Sequence, residues 1–163
     1  MWRTLVELLI LGVVLAVIAL RIWVYEPVRV VETSMQPTLD PGDMLLLNRY
    51  AVKHWGPERG TLVVLQHPLL DDWVVKRVVA VGNDEVRYDR RGLWVNGRLA
   101  DEPYVVPYLG KELVTEIVPE GHVYVLGDNR PASEDSRDYH SVPREALIGE
   151  VVRVLWHARD ADS

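Results

Sequence analysis

The chain has no cysteine. Disulfides, thiolate metal sites and a thiol nucleophile are therefore excluded, and the redox compartment is left open. Phenylalanine is absent too, so Trp, Tyr, Leu and Val are left to fill a core. There is no excess of positive charge. The formal net charge is −6 at pH 7, and nothing in that balance argues for nucleic acid as a partner. The histidines at 54, 67, 122, 140 and 157 lack ligand spacing, so neither a zinc site nor a His-based triad is expected, and no cofactor is called for. Internal repeats and low-complexity tracts are missing as well. A chain of 163 residues is one domain, or one domain plus an anchor.

Long apolar runs are scarce, with one exception at the start. Leu8 to Leu20 carries no charge, but as a helix it would span only about 20 Å. Leu5 to Val24 would span roughly 30 Å, the depth of a bilayer core. Glu7 and Arg21 lie near its ends, where long side chains reach headgroups, and Trp2, Trp23 and Tyr25 suit the two interfaces. A cleaved secretory signal is the other reading. The small-x-small site is weak and the chain continues straight into apolar residues, which favours an uncleaved anchor. Arg3 before the span and Arg21 and Arg29 at or after it leave the orientation undecided by charge.

Beyond the anchor the chain reads as strands. These are 43–48, 61–66, 73–81, 85–88, 93–95, 114–118, 122–126 and 147–156, with Asn96-Gly97 as a type I′ hairpin turn. Only 143–146 suggests a helical turn. No soluble segment is a helix long enough to cover a parallel sheet, so the domain is expected to be β-rich without β-α-β layering. Leu45 to Leu47 and Trp55 are candidates for a membrane-facing surface.

Three stretches carry chemistry. In the first, Val28, Val30 and Val31 run into Glu32-Thr33-Ser34-Met35-Gln36-Pro37-Thr38-Leu39-Asp40-Pro41-Gly42-Asp43, where two prolines and a glycine end any regular element. Ser34 sits at a strand-to-turn corner, suited either to a nucleophile or to a serine bonding its own backbone. In the second, Lys76 lies among Val74, Val75, Val78 and Val79. A lysine at a strand edge would be solvated, whereas one held among apolar groups is pushed towards the neutral amine, a usable base in Ser-Lys sites. In the third, Gly127-Asp128-Asn129-Arg130-x-x-Ser133-x-Asp135-Ser136-Arg137 packs acids and arginines into one loop. That is either a polar turn or a brace in which Asp135 pairs with Arg137 or Arg130, with Ser133 bonded to the amine of Lys76.

These stretches, in this order, resemble the boxes of the type I signal peptidases, membrane-anchored Ser-Lys proteases that remove signal peptides. Ser34-Met35-x-Pro37-Thr38-Leu39 with Gly42-Asp43 is similar to the nucleophile box. Lys76-Arg77-Val78-Val79 followed by Gly82-Asn83-Asp84 is similar to the lysine box, with Asn83 inserted between the Gly and the Asp. The loop from Gly127 to Arg137 is the third box, continuing through Val142-Pro143 and Ile148-Gly149. Arg59-Gly60-Thr61, with Thr61 where an acid is usual, and Glu102-Pro103-Tyr104 also fit. His140 stands where a glycine is usual.

The resemblance implies a mainly β fold, an antiparallel-sheet signal-peptidase-like catalytic domain with a small cap, preceded by one transmembrane helix. Residues 1–26 would be the anchor and 27–163 an extracytoplasmic peptidase domain. It implies that Ser34 is the nucleophile and Lys76 the base, supported by Ser133, Asp135, Arg137, Asp128 and Arg77. The expected partners are the signal peptides of secretory preproteins and membrane lipid. Substrates of this class carry small residues before the cut, and Met35 with the Leu62-to-Leu65 strand would line the pockets. Glu32 departs from the serine or glycine usual two residues before the nucleophile. A carboxylate has no proton to give an oxyanion, so its side chain is expected to turn aside. The backbone N–H of Ser34 is then the main oxyanion donor. Two rivals share parts of the pattern: a self-cleaving repressor-type Ser-Lys peptidase, which needs a DNA-binding module and no anchor, and an inactive membrane-tethered β-domain.

Overall fold

The computed structural model describes residues 2–106 and 114–161, without side chains for 16–23 and 160–161. Its elements run α1 (Trp2–Val24), β1 (Tyr25–Arg29), β2 (Met44–Asn48), α2 (Arg49–His54), β3 (Leu62–Gln66), β4 (Trp73–Val81) and β5 (Glu85–Asp89). There follow β6 (Gly92–Val95), β7 (Arg98–Leu99), β8 (Val114–Ile117), β9 (His122–Leu126), α3 (Ser136–Tyr139), β10 (Val142–Pro143) and β11 (Leu147–Trp156). Short 3₁₀ turns occupy Arg130–Ala132, Arg144–Ala146 and Ala158–Ala161.

The strands form two antiparallel sheets. The larger has the order β1-β2-β11-β3-β4-β9-β10 and the smaller β7-β6-β5-β8. β3 and β4 are the expected valine runs. β4 lies between β3 and β9, with apolar neighbours on both faces, which is why its sequence is a continuous run rather than an alternation. β11 pairs first with β3 and then with β2, and its register shifts at three points, so the sheet bends along this strand. Asn96 and Gly97 both take positive φ, as a type I′ turn demands.

Three apolar clusters hold the domain together. One packs Val63, Leu65, Val74, Val78, Val123 and Val125 with Val52 of α2. A second joins the two sheets through Val79, Tyr124 and Leu126 on the larger and Val86, Tyr88 and Leu93 on the smaller. The third seats the turn after β1, with Met35 and Leu39 packed on Leu45, Leu47, Val64 and Val75.

Several expectations change here. Among the described side chains no tryptophan takes phenylalanine's place in the core: Trp2, Trp55, Trp73 and Trp156 are exposed and Trp94 is half-buried. Leu45 and Leu47 cannot face a membrane, because both are fully buried under the Met35 turn. Of that group Trp55 remains outside, at 75% exposure. α2 is an addition to the expected elements. Asn48 caps it by accepting from the N–H groups of Tyr50 and Ala51, at 3.0 and 3.1 Å. α1 covers the segment expected to span a membrane, but among the described residues no helix is long and apolar enough to cross one.

Candidate active site

The residues singled out in sequence converge because β4 brings Lys76 up to the turn that follows β1. Strand β1 ends at Arg29, and the chain continues as a paired loop, with Val30 N–H bonded to Asp43 O and Gly42 N–H to Val30 O. Between these ties the chain turns through residues 34–39, pinned by the buried Met35 and Leu39. The far side of the turn is clamped by the C-terminal segment. Asp43 accepts from Ala158 N–H at 2.8 Å and lies 3.2 Å from the His157 ring, while Arg159 pairs with Asp40. Ser34 is thereby held on a rigid platform with little of its surface exposed.

Lys76 is 1% exposed. It shares a face of β4 with Val74 and Val78 and lies opposite Val63 of β3. Burial holds its amine below the ordinary lysine value, partly offset by the carboxylates of Glu32, Asp135 and Glu134. Ser34 and Lys76 line one open cleft of about 350 Å³ together with Val31, Glu32, His67, Leu70, Val74 and Glu134. Beside it lies a recess of about 20 Å³, lined mostly by apolar residues such as Val31, Met35, Val64, Val74 and Val75 but also by Arg29, Glu32 and Ser34.

The next residue on β4, Arg77, points to the opposite face. Its guanidinium grips Asp128 with two bonds of 2.9 and 2.7 Å, and Thr38 donates to the same carboxylate at 2.5 Å. Asp128 is fully buried, so this fork is charge-assisted and dry. It ties β4, the turn that carries Ser34 and the third loop at one point. Tyr104 covers the Arg77 guanidinium at 3.9 Å.

The third loop is braced from within. Asp135 takes Arg137 as its partner: Nε and Nη2 each donate at 2.8 Å, and the carboxylate also accepts from Gly127 N–H at 3.1 Å. Arg130 does not compete for it, being bound to Glu102 and to Gly127 O. Gly127 is the point of closest approach. A Cβ there would collide with Ser133 Oγ and lie 2.6 Å from the carbonyl oxygen of Ser34. That carbonyl accepts from Asn129 N–H at 3.0 Å, and Asn129 Nδ2 donates to Thr33 O. The third loop thus lies directly against the backbone of Ser34.

Two expectations about side chains are corrected. Ser133 is not bonded to Lys76: its hydroxyl is buried over Gly127 without a hydrogen-bond partner. Glu32 does not turn aside. The Ser34 hydroxyl donates to Glu32 Oε2 at 3.5 Å across the bend at Thr33.

His140 explains its own oddity. It ends α3 at φ 66, ψ −171, a region that glycine alone enters freely. The glycine that the resemblance leads one to expect at this position would adopt that conformation without strain.

Sequence reading missed His67 and Glu134 as cleft residues. His67 is buried, its Nδ1 accepts from the N–H groups of Leu69 and Leu70, and its ring meets Tyr139 edge-on. The His-Pro step after a valine strand marks a turn, but nothing local says that the turn folds back over Ser34.

A family model described as signal peptidase, peptidase S26, matches residues 2–156. The chain is 34% identical to a protein named probable signal peptidase I-2 of Synechocystis, over 95% of this chain and 73% of that protein. It is also 34% identical to signal peptidase I of Bacillus caldolyticus, over 88% and 86%. Identity to signal peptidase IB of Staphylococcus aureus is 32%, over 82% and 79%. A crystal structure of a signal peptidase I from Enterococcus faecalis superposes with a TM-score of 0.53 at 28% identity, over 60% of this chain and 97% of that one.

Proposed function

The chain belongs to the signal peptidase family, peptidase S26, and we propose that it cleaves signal peptides from preproteins with Ser34 as nucleophile and Lys76 as general base. The observation that carries this assignment is the pairing of a buried lysine with a serine hydroxyl in one open cleft. Ser34 Oγ attacks the scissile carbonyl carbon while its proton passes to the neutral Nζ of Lys76. The tetrahedral intermediate collapses, the C–N bond breaks, and the leaving amine takes that proton. Water then attacks the acyl ester, giving a proton to Nζ; the C–Oγ bond breaks, Nζ passes that proton to Ser34 Oγ, and the acid product leaves with serine and neutral amine restored. The backbone N–H of Ser34 donates to the oxyanion.

Asp128 with Arg77, and Asp135 with Arg137, act by holding the loop that supports Ser34. Ser133 packs against the same backbone. The recess of about 20 Å³ suits a methyl-sized side chain, which fits substrates with a small residue before the cut.

Residues 1–26 are the proposed single-pass anchor, with the peptidase domain of 27–163 on the extracytoplasmic side. Support comes from Leu5, Leu8, Leu9, Ile10 and Leu11, which the rest of the chain leaves exposed. Such a surface calls for lipid, and α1 at 23 residues is about 34 Å long.

The test uses the full chain in detergent with a secretory precursor. Wild type should process it, and Ser34→Ala and Lys76→Arg should not, with folding checked by melting. Arginine keeps a charge but cannot deprotonate to serve as base. Processing by Lys76→Arg at near wild-type rate would remove the Ser-Lys assignment.

A further inference from the structure

The carboxylate of Glu32 lies where a base would stand. It accepts the hydroxyl proton of Ser34 at 3.5 Å, a long and weak bond, in the cleft that also holds Lys76. For Lys76 to act as base, the same hydroxyl has to donate to Nζ instead. One proton cannot serve two acceptors well, so the two arrangements compete.

We propose that Glu32 is a positioning residue that competes with Lys76 for the hydroxyl proton of Ser34 in the substrate-free site, and so confines full activity to more alkaline pH. This rests on Ser34 and Lys76 being the reacting pair. Two effects act in the same direction. The hydroxyl bonded to Glu32 is turned from the amine. The negative charge also favours the ammonium form of Lys76, and only the neutral amine can accept a proton.

The other charged groups facing Lys76 do not cancel this. Asp135, which raises the Lys76 value, and Arg137, which lowers it, form one buried pair and offset each other. Glu134 lines the cleft without touching Ser34 in any described bond. His67 has Nδ1 occupied by two backbone N–H groups. Tyr139, packed edge-on against His67, has its phenol pushed up by burial. Glu32 is the carboxylate that reaches both the nucleophile and the field of the amine. It is also exposed, so an extended substrate can move it aside at little cost to the fold.

The experiment is the pH dependence of kcat/KM and of kcat for the full chain in detergent on a peptide spanning a signal-peptide cleavage site. It compares wild type, Glu32→Gln and Glu32→Asp. The kcat/KM profile reports the free enzyme and the kcat profile the bound one. For Glu32→Gln the acid limb of kcat/KM should move to lower pH by about half a unit, a roughly threefold gain on that limb, for one partly solvated charge. The limb of kcat should move less, because substrate displaces Glu32. Glu32→Asp, which restores the charge, should return the limb towards wild type. An NMR titration of ¹⁵N-labelled lysine, comparing Ser34→Ala with Ser34→Ala/Glu32→Gln, reads the same shift of Lys76 without turnover. Coincident limbs in an active enzyme, or coincident lysine titrations, overturn this proposal alone. A wild-type chain inactive on every precursor overturns the peptidase assignment beneath it and this proposal with it.

Discussion

Replacing Gly127 by alanine tests whether the third loop sets the position of Ser34, the proposed nucleophile. The new Cβ would collide with Ser133 Oγ and would meet Ser133 Cβ and Ser34 O at 2.6 Å each, whereas ordinary contact begins near 3.4 Å. The Ser133 hydroxyl can rotate away. Ser133 Cβ and the Ser34 carbonyl are fixed to the backbone and cannot, so the two segments of chain must part by about 0.8 Å, the difference between 3.4 and 2.6 Å. Parting them stretches the 3.0 Å bond from Asn129 N–H to Ser34 O. Overpacking of this kind costs about 1–3 kcal/mol, and a weakened backbone bond adds roughly 0.5–1.5 kcal/mol. The expected loss is then about 2–4 kcal/mol, a fall in Tm of roughly 5–15 °C at about 2–4 °C per kcal/mol. Activity should fall further than stability explains. A displacement near 1 Å at a reacting atom costs on the order of 10²-fold, so kcat on a peptide should drop by about that factor at a temperature where the variant is fully folded. The assay is steady-state cleavage beside thermal unfolding. A Gly127→Ala protein with wild-type kcat and Tm would refute the claim that this contact positions Ser34.

Lys76→Met should be inactive yet more stable than wild type by about 1–3 kcal/mol, because it removes a buried amine and keeps an unbranched chain of similar volume. The sign of its pH dependence follows from the lowered Lys76 value. Between that value and about 10.4 the unfolded chain binds the extra proton, so wild-type stability rises with pH there and the advantage of methionine shrinks. Urea unfolding at two pH values checks this, and a destabilised Lys76→Met at neutral pH would contradict it. His140→Gly should raise stability by about 1 kcal/mol. Relief of roughly 1–3 kcal/mol of backbone strain is offset by the flexibility of glycine in the unfolded chain and by loss of the contact between the exposed His140 ring and Glu116. A lower melting temperature would show that the contact outweighs the strain.

Part of the site is legible in the amino-acid sequence. A lysine among four valines and a serine before two prolines are local signals, and both residues line the cleft. The partner of Asp135 is not legible, since Arg130 and Arg137 both lie close enough along the chain to reach it. Glu102, a residue from the small-sheet region, decides it by taking Arg130. Nor does the sequence say that Ser133 packs on Gly127 and not on the amine, or that Glu32 faces Ser34.

The local elements follow from residue order alone. Valine-rich runs form β3, β4, β9 and β11, and Asn96-Gly97 forms its turn, because side-chain period and turn chemistry act over a few residues. The chemistry of those elements is a tertiary matter. β4 would read the same at a sheet edge, where Lys76 would be a solvated cation. The pairing of β4 with β3 on one side and β9 on the other, under a turn anchored by Met35 and Leu39, is what strips water from the amine. The neighbours Lys76 and Arg77 take opposite fates for the same reason. One faces the cleft and is pushed towards neutrality, while the other finds Asp128, fifty-one residues away, and stays charged. Burial and ion pairing depend on which distant segments meet, and no local pattern encodes that.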